Sequence, residues 1–163
     1  MNTVLAAILT TAALAVPSGK KVASGVQSLL DRGCERVVFA TRRPTSKDGH
    51  WYANIGYFAH DTKDKLYESG GHLCVVDLKT GKIDVLLEDA KGTIRDPAVH
   101  YEAGKVLFSY RKGGEENFHL YEINTDGTKL TQLTSGKYDE YEPAYLPDGG
   151  IIFVSTRAKR WVN

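Results

Sequence analysis

Apolar and polar residues alternate in short runs across Asp96–Thr134, and tight polar turns separate the runs. This pattern predicts four consecutive β-strands. The turns fall at Glu102–Gly104, Lys112–Asn117 and Asp126-Gly127, where glycine and short polar side chains favour chain reversal. The four predicted strands are PAVHY, KVLFSYR, FHLYEIN and KLTQLT.

The four-strand unit recurs along the chain. Pro97-Ala98 returns as Pro143-Ala144, a spacing of 46 residues, and Phe108 in KVLFSYR returns as Phe153 in GIIFVSTR, a spacing of 45. The run HLCVVDLKTGKIDVLL at 72–87 matches HLYEINTDGTKLTQLT at 119–134. Blades of β-propellers repeat at about 40–50 residues. The sequence therefore predicts an all-β fold, a partial β-propeller of about three four-stranded antiparallel blades. The alternative is an antiparallel sandwich whose hairpins look alike.

The predicted propeller spans 34–163. It divides into a first blade at 34–90, a complete blade at 95–134 and a truncated blade at 141–163. Propellers close with about 4–8 blades, so three blades do not form a ring. We expect the N-terminal part of a longer protein or a truncated gene product. An open third blade would carry an unpaired β-edge, which is prone to aggregation.

The start of the chain is apolar and uncharged over VLAAILTTAALAV at 4–16. Thirteen apolar residues are too few to span a bilayer, which needs about 20. Ala13-Leu14-Ala15 fits a signal-peptidase site, so we predict a helical signal peptide over 1–15 and a linker with a short helix over 16–33. The alternative is an uncleaved buried or anchoring helix. We expect a periplasmic or secreted protein with no membrane span after signal removal.

An insertion at 42–71 enlarges the first blade, and it is rich in aromatic rings. Long insertions on rigid scaffolds often carry function, and large rings bury much area at low entropic cost. The alternative is an extra hairpin, WYANIGYFA, whose rings pack over the blade. The candidate partner or ligand surface comprises His50, Trp51, Tyr52, Tyr57 and Phe58.

Eight residues at equivalent places in the repeat have an expected structural role. A carboxylate before each strand proline is expected to accept backbone N–H bonds at a blade corner. The arginines that end matching strands, including Arg42, suggest a repeated ion pair or stacking contact; a ring of charge along the propeller axis is the alternative. The eight residues are Asp96, Pro97, Phe108, Arg111, Glu142, Pro143, Phe153 and Arg157.

No motif for catalysis, a cofactor or a metal is found in the sequence. It has no G-x-S-x-G for a nucleophilic hydrolase and no C-x-x-C-H for covalent haem, and its five histidines are scattered. With 21 basic and 20 acidic residues, a net charge of +1 gives no electrostatic reason to expect nucleic-acid binding. We expect Cys34 and Cys74 to be buried or free thiols; a disulfide is the alternative.

The pattern EPAYLPDGGIIFVSTR at 142–157 resembles the repeat of TolB-type propellers, with its proline, P-D-G turn, apolar strand and S-x-R. VVFATRRPTSKDGHWYANIGYFA and STRAKRWVN further resemble the middle propeller domain of hydrazine synthase alpha-subunit-like exported bacterial proteins. That resemblance implies one module of an exported multidomain protein. It carries over no catalytic position, since the haem-attachment motifs are missing from this sequence.

The sequence therefore favours an exported propeller module that acts as a protein-interaction scaffold or as a non-catalytic domain of a larger periplasmic protein. Its expected partners are another protein or further domains of the same chain. We do not expect the chain by itself to be an enzyme or to need a cofactor. The alternatives are the N-terminal fragment of a hydrazine synthase-like haem oxidoreductase and the propeller of a prolyl-oligopeptidase-type serine peptidase.

Overall fold

The computed structural model describes residues 3–8, 20–42 and 69–158, with side chains over 24–42 and 69–158. A short 3-10 turn follows the last strand at Thr156–Ala158. In chain order the elements are β1 (Thr3–Ile8), α1 (Lys20–Asp31), β2 (Cys34–Arg42), β3 (Gly71–Asp77), β4 (Ile83–Asp89), β5 (Thr93–Val99), β6 (Lys105–Arg111), β7 (His119–Asn124), β8 (Thr131–Gln132), β9 (Glu140–Tyr145) and β10 (Ile151–Ser155).

The strands form three sheets, here called blades 1 to 3. Blade 1 has the order β1-β2-β3-β4, blade 2 has the order β5-β6-β7-β8, and blade 3 pairs β9 with β10. Neighbouring strands are antiparallel except β1 and β2. The prediction of a partial β-propeller with an incomplete third blade is therefore confirmed.

The strand register repeats between blades. Phe39 of β2 lies opposite Cys74 of β3, and Phe108 of β6 lies opposite Tyr121 of β7. Phe39 and Phe108 are equivalent in the sequence repeat, as are Cys74 and Tyr121. The hydrophobic pattern fixes this register, because a slip of one residue would turn every apolar side chain to the other face.

Each innermost strand of blades 2 and 3 carries a β-bulge at its acidic residue and proline. The register shifts between Arg95 and Ala98, so Asp96 and Pro97 together lie opposite Phe108. The equivalent dipeptide, Glu142-Pro143, produces the matching shift in blade 3. Asp96 has φ 54° and Glu142 has φ 50°, both in the left-handed region. Strand β5 begins at Thr93 and not at Pro97, where the sequence predicted it, because Thr93–Arg95 already pair with β6 before the bulge.

The N-terminal segment differs from its prediction. The sequence predicts a signal helix over 1–15, whereas Thr3–Ile8 forms β1 and pairs in parallel with β2. A short apolar run fits a buried strand as well as a helix, so periodicity alone does not separate the two. Residues 9–19 lie outside the described part of the chain.

The predicted short helix is present as α1 and ends before Gly33, which has φ 77°. Gly33 donates its backbone N–H to the carbonyl of Leu30 at 2.9 Å, as in a helix C-terminus. Cys34 and Cys74 are both buried free thiols, as one of the two predictions for them stated. Burial, and then the charge of Glu88, raise the pKa of the Cys74 thiol.

The main core lies between blades 1 and 2. Phe108 is fully buried there, and its ring stacks against Tyr121 with centroids 6.3 Å apart. Each fully buried apolar side chain of this size stabilises the fold by about 1.5–3 kcal/mol. The buried members of the cluster are Val38, Ala40, Leu73, Val75, Ile94, Val106, Phe108, Tyr110, Tyr121 and Ile123.

Candidate functional site

The aromatic insertion leaves and rejoins the fold at one end of blade 1. It leaves after Arg42, the last residue of β2, and β3 resumes at Gly71, directly opposite Arg42. The predicted surface of His50, Trp51, Tyr52, Tyr57 and Phe58 lies outside the described residues. The loop between β6 and β7 occupies the same end of blade 2. We call this end of the blades the insertion rim.

The returning arm of the insertion is fixed to blade 2. Arg111 donates from Nη2 to Ser69 Oγ at 3.4 Å and to Thr93 Oγ1 at 3.2 Å. The Gly70 N–H donates to the Gly92 carbonyl at 2.8 Å. A Cβ at Gly71 would stand only 3.1 Å from the Thr41 carbonyl oxygen, so a larger residue would push against the backbone. The returning arm of the insertion is therefore hydrogen-bonded to blade 2.

A buried arginine, Arg95, lies beside the other arm of the insertion. Burial and then the charge of Arg95 lower the pKa of Arg42, while Asp96 acts in the opposite direction. Arg95 Nε donates to Asp96 Oδ2 at 2.6 Å, and its guanidinium lies 4.6 Å from the centroid of the Tyr141 ring. Asp96 therefore lies close to two guanidinium groups in this part of the rim.

Asp96 also connects blade 2 to blade 3. Its Oδ2 accepts the backbone N–H of Glu142 at 3.2 Å, so one bulge residue binds its repeat equivalent in the next blade. The sequence predicted a carboxylate that accepts backbone N–H groups at this corner, and Asp96 is one. Pro97 and Pro143 are buried beside the two bulges, while Glu142 is exposed.

Glu140 of blade 3 is fully buried, and its backbone N–H donates to the Phe118 carbonyl, next to β7 of blade 2, at 3.0 Å. Its Oε1 accepts from Arg157 Nε at 2.8 Å and from Arg157 Nη2 at 2.6 Å. Its Oε2 lies 3.6 Å from His119 Nδ1. The guanidinium of Arg157 also faces the ring of Tyr138 at 5.7 Å. Arg157 thus makes the ion pair and stacking contact that the structural interpretation of the repeated arginines predicts.

Asp89 joins blades 1 and 2 at the same rim. Its Oδ2 accepts from the Tyr110 hydroxyl at 2.6 Å and from the Gly113 N–H at 2.7 Å, and its Oδ1 accepts from the Lys91 N–H at 2.9 Å. Burial raises the pKa of Asp89, but hydrogen bonds from Tyr110, Lys91, Gly113 and Gly92 outweigh it and hold the pKa at about 2. Burial and then this bond raise the pKa of the Tyr110 hydroxyl.

Sequence reasoning missed four members of the rim: Asp89, Arg95, His119 and Glu140. Asp89 precedes a glycine-containing turn, which was the only local signal for it. The other three lie within strands or at strand ends, where their burial depends on the neighbouring blade. Asp96 and Arg111 were found because they recur.

The opposite end of the blades holds a shallow polar groove of about 440 Å³. Its walls are turns, and Arg36 donates to the Thr125 carbonyl nearby at 3.3 Å. In the described ranges, no group of three or more His, Cys, Asp or Glu side chains is placed to hold a metal ion. The same ranges contain no helix that is long and apolar enough to cross a membrane. The groove is lined by His100, Glu102, Gly104, Lys105, Asn124, Thr125 and Asp126.

The repeated bulged blades and the anchored insertion define a β-propeller module. No family model matches the chain. It is similar to hydrazine synthase subunit alpha of Kuenenia stuttgartiensis, with 27% identity over 130 residues, which cover 78% of this chain and 15% of that relative. The chain thus spans only a small part of this curated relative.

Solved structures are also similar to this chain. The hydrazine synthase of Kuenenia stuttgartiensis superposes with a TM-score of 0.52 at 25% identity, covering 68% of this chain and 13% of that one. An oligogalacturonate lyase in complex with manganese superposes with a TM-score of 0.52 at 22% identity, covering 76% and 32%, which is a likeness of fold alone. The predicted propeller resembling that of hydrazine synthase is confirmed.

Proposed function

We propose that this chain is an exported propeller module that binds a protein partner or further domains of a larger periplasmic protein through the insertion rim. The observation that carries the proposal is that both ends of the insertion are attached to the blades. One arm begins at Arg42, and the other is tied through Ser69 to Arg111 of blade 2. Anchoring the two ends of a loop lowers the conformational entropy that the loop can lose on binding.

The composition of the insertion supports a protein partner. His50, Trp51 and Tyr52 follow one another, and Tyr57-Phe58 comes shortly after. Tryptophan and tyrosine are enriched among residues that dominate protein–protein binding energy, and arginine accompanies them. Arg42 and Arg95 at the base already have partners within the chain, so the aromatic rings carry this argument. The partner surface is therefore expected to be apolar.

Export rests on the apolar, uncharged N-terminal stretch and its Ala13-Leu14-Ala15 site. N-terminal sequencing of protein recovered from the periplasm tests it, with a mature end at Val16 expected. Cleavage there would remove β1, so blade 1 of the mature protein would consist of β2, β3 and β4. Recovery of intact chain from the cytoplasm would contradict export. Because the chain spans 15% of the hydrazine synthase subunit, that relative's activity is not assigned to it.

The binding proposal is tested by photo-crosslinking at position 51, with position 83 as the control. Ile83 is an exposed apolar residue on the outer strand of blade 1, 56% accessible and distant in sequence from the insertion. We expect one periplasmic protein to be crosslinked at 51 and not at 83. After that partner is purified, Trp51→Ala should weaken its binding at least tenfold by calorimetry, and Ile83→Ala should not.

Two results would contradict the proposal. Equal crosslinking at positions 51 and 83 would indicate non-specific adhesion. Loss of the β-sheet circular dichroism in Trp51→Ala would show that the ring packs on the blade, as in the hairpin interpretation of WYANIGYFA.

A further inference from the structure

Two buried polar atoms face each other across the junction between blades 2 and 3. His119 Nδ1, on the first residue of β7, lies 3.6 Å from Glu140 Oε2, on the first residue of β9. The His119 side chain is 8% exposed and that of Glu140 is fully buried. Neither atom has a hydrogen-bond partner among the described residues. Buried polar atoms are normally hydrogen-bonded, so this pair requires an explanation.

The neighbouring arginine satisfies only one of the two oxygens of Glu140. Arg157 donates from Nε and from Nη2 to the same oxygen, Oε1, at 2.8 and 2.6 Å. Oε2 is left facing His119, and in the described ranges it is the one buried carboxylate oxygen without a hydrogen bond. A buried acceptor without a donor is destabilising, so a donor that reached Oε2 would stabilise the junction.

The equivalent histidine of blade 1 has a different environment. His72, 47 residues before His119, pairs through Nδ1 with the Thr41 hydroxyl at 3.0 Å, and its Nε2 lies 3.2 Å from Glu88. Its side chain is 40% exposed. The residue opposite His119 is Tyr110, whose hydroxyl donates elsewhere. His119 Nδ1 therefore faces a buried carboxylate of the next blade in place of a hydroxyl.

We propose that His119 takes up a proton and forms a buried ion pair with Glu140, which tightens the junction between blades 2 and 3 as the pH falls. The charge of histidine ordinarily changes between about pH 5 and 8. A neutral imidazole has one N–H, whereas an imidazolium has an N–H on both nitrogens, so protonation ensures a donor at Nδ1. The unfolded chain lacks this fixed carboxylate. The added stability is therefore present at low pH and is lost as the pH rises.

The other charged groups around the pair keep their charge over this range. Arginines stay protonated, and carboxylates ordinarily ionise below about pH 5. The pKa of Asp89 is held at about 2, and that of Tyr110 is raised above its ordinary 10. Burial opposes a charge on His119, and the facing carboxylate offsets that cost. The basic groups are Arg95, Arg111 and Arg157. The acidic groups are Asp89, Glu115 and Asp139.

Glutamine substitutions at the two equivalent histidines test the ion pair. Glutamine is uncharged and can still donate a hydrogen bond. We expect His119→Gln to raise the unfolding equilibrium constant about tenfold or more at pH 5.5 and far less at pH 8, in urea titrations followed by circular dichroism. His72→Gln should have the same small effect at both pH values, because its ion pair is exposed. An equal effect of His119→Gln at both pH values would overturn the proposal.

Glu140→Gln tests whether Glu140 is the group to which His119 responds. The substitution removes the negative charge of the junction and keeps a side-chain oxygen that can accept from Arg157. In this background His119→Gln should have the same effect at pH 5.5 and at pH 8. A pH-dependent effect that persists would contradict the proposed pair.

Hydrogen exchange tests the junction in the wild type, and it decides the question even where a variant does not fold. The Glu140 N–H donates to the Phe118 carbonyl at 3.0 Å, so its exchange reports the opening of the junction. Its protection factor, which corrects for the intrinsic effect of pH on exchange, should be about tenfold or more higher at pH 5.5 than at pH 8. The control is the amide of Leu73, inside blade 1. An unchanged Glu140 amide, or an equal rise at Leu73, would overturn the proposal.

Discussion

Blades 2 and 3 begin from the same sequence pattern and differ in one respect. Both have an inner strand with an acidic residue and proline in a bulge, and both place a phenylalanine opposite that bulge. Phe108 is fully buried in blade 2, whereas Phe153 is 36% exposed in blade 3. Strand β6 has β7 beside it and lies in the core between blades 1 and 2, whereas in the described residues no strand pairs with the second edge of β10 and no further blade packs on blade 3. The repeat therefore determines backbone shape locally, while burial depends on the neighbour.

The largest expected effect concerns the two phenylalanines. Phe108→Ala should lower the free energy of unfolding by about 3–5 kcal/mol, because it leaves a cavity in a packed core. Phe153→Ala should cost about 1 kcal/mol or less, because that ring is already partly in water. Urea unfolding followed by circular dichroism measures both. Equal losses would show that β10 is covered as fully as β6.

The carboxylates in the two bulges provide a second test. Asp96 accepts from Arg95 and from the Glu142 N–H, whereas Glu142 is exposed. Asp96→Ala should therefore lower the free energy of unfolding by about 2 kcal/mol more than Glu142→Ala does. Both substitutions place alanine at a positive φ, so the backbone strain largely cancels in the comparison. Equal values would mean that the Asp96 carboxylate does not stabilise the contact between the blades.

The sequence predicted the repeating parts of this molecule well. β6 occurs at Lys105–Arg111 as predicted, and the Asp96 carboxylate accepts a backbone N–H as predicted. Contacts that occur once were not predictable, because they depend on which strands become neighbours. Nothing in the sequence distinguishes Glu140 from the other charged residues, yet its side chain is fully buried and accepts a hydrogen bond from Arg157. The prediction of a helix at the apolar start of the chain was wrong for another reason, because a short apolar run fits a strand as well as a helix.

Asp89 extends the comparison to the junction between blades 1 and 2, where its pKa is held at about 2 against the ordinary 3.8. A carboxyl whose pKa is lower in the folded state stabilises the fold above its unfolded pKa, and this contribution disappears as the pH falls through the folded pKa. Asp89→Asn should therefore lower the free energy of unfolding by about 1–2 kcal/mol at neutral pH.

The pH dependence separates this effect from general acid unfolding. The difference between the wild type and Asp89→Asn should remain constant above about pH 5 and shrink as the pH falls through about 2. Asp84→Asn is the control, because Asp84 lies on the same strand and forms only an exposed ion pair with Lys82 at 2.8 Å. Its cost should stay below about 0.5 kcal/mol at every pH, as for surface ion pairs in general. If the two asparagine variants unfold alike, the hydrogen bonds of Asp89 do not hold blades 1 and 2 together.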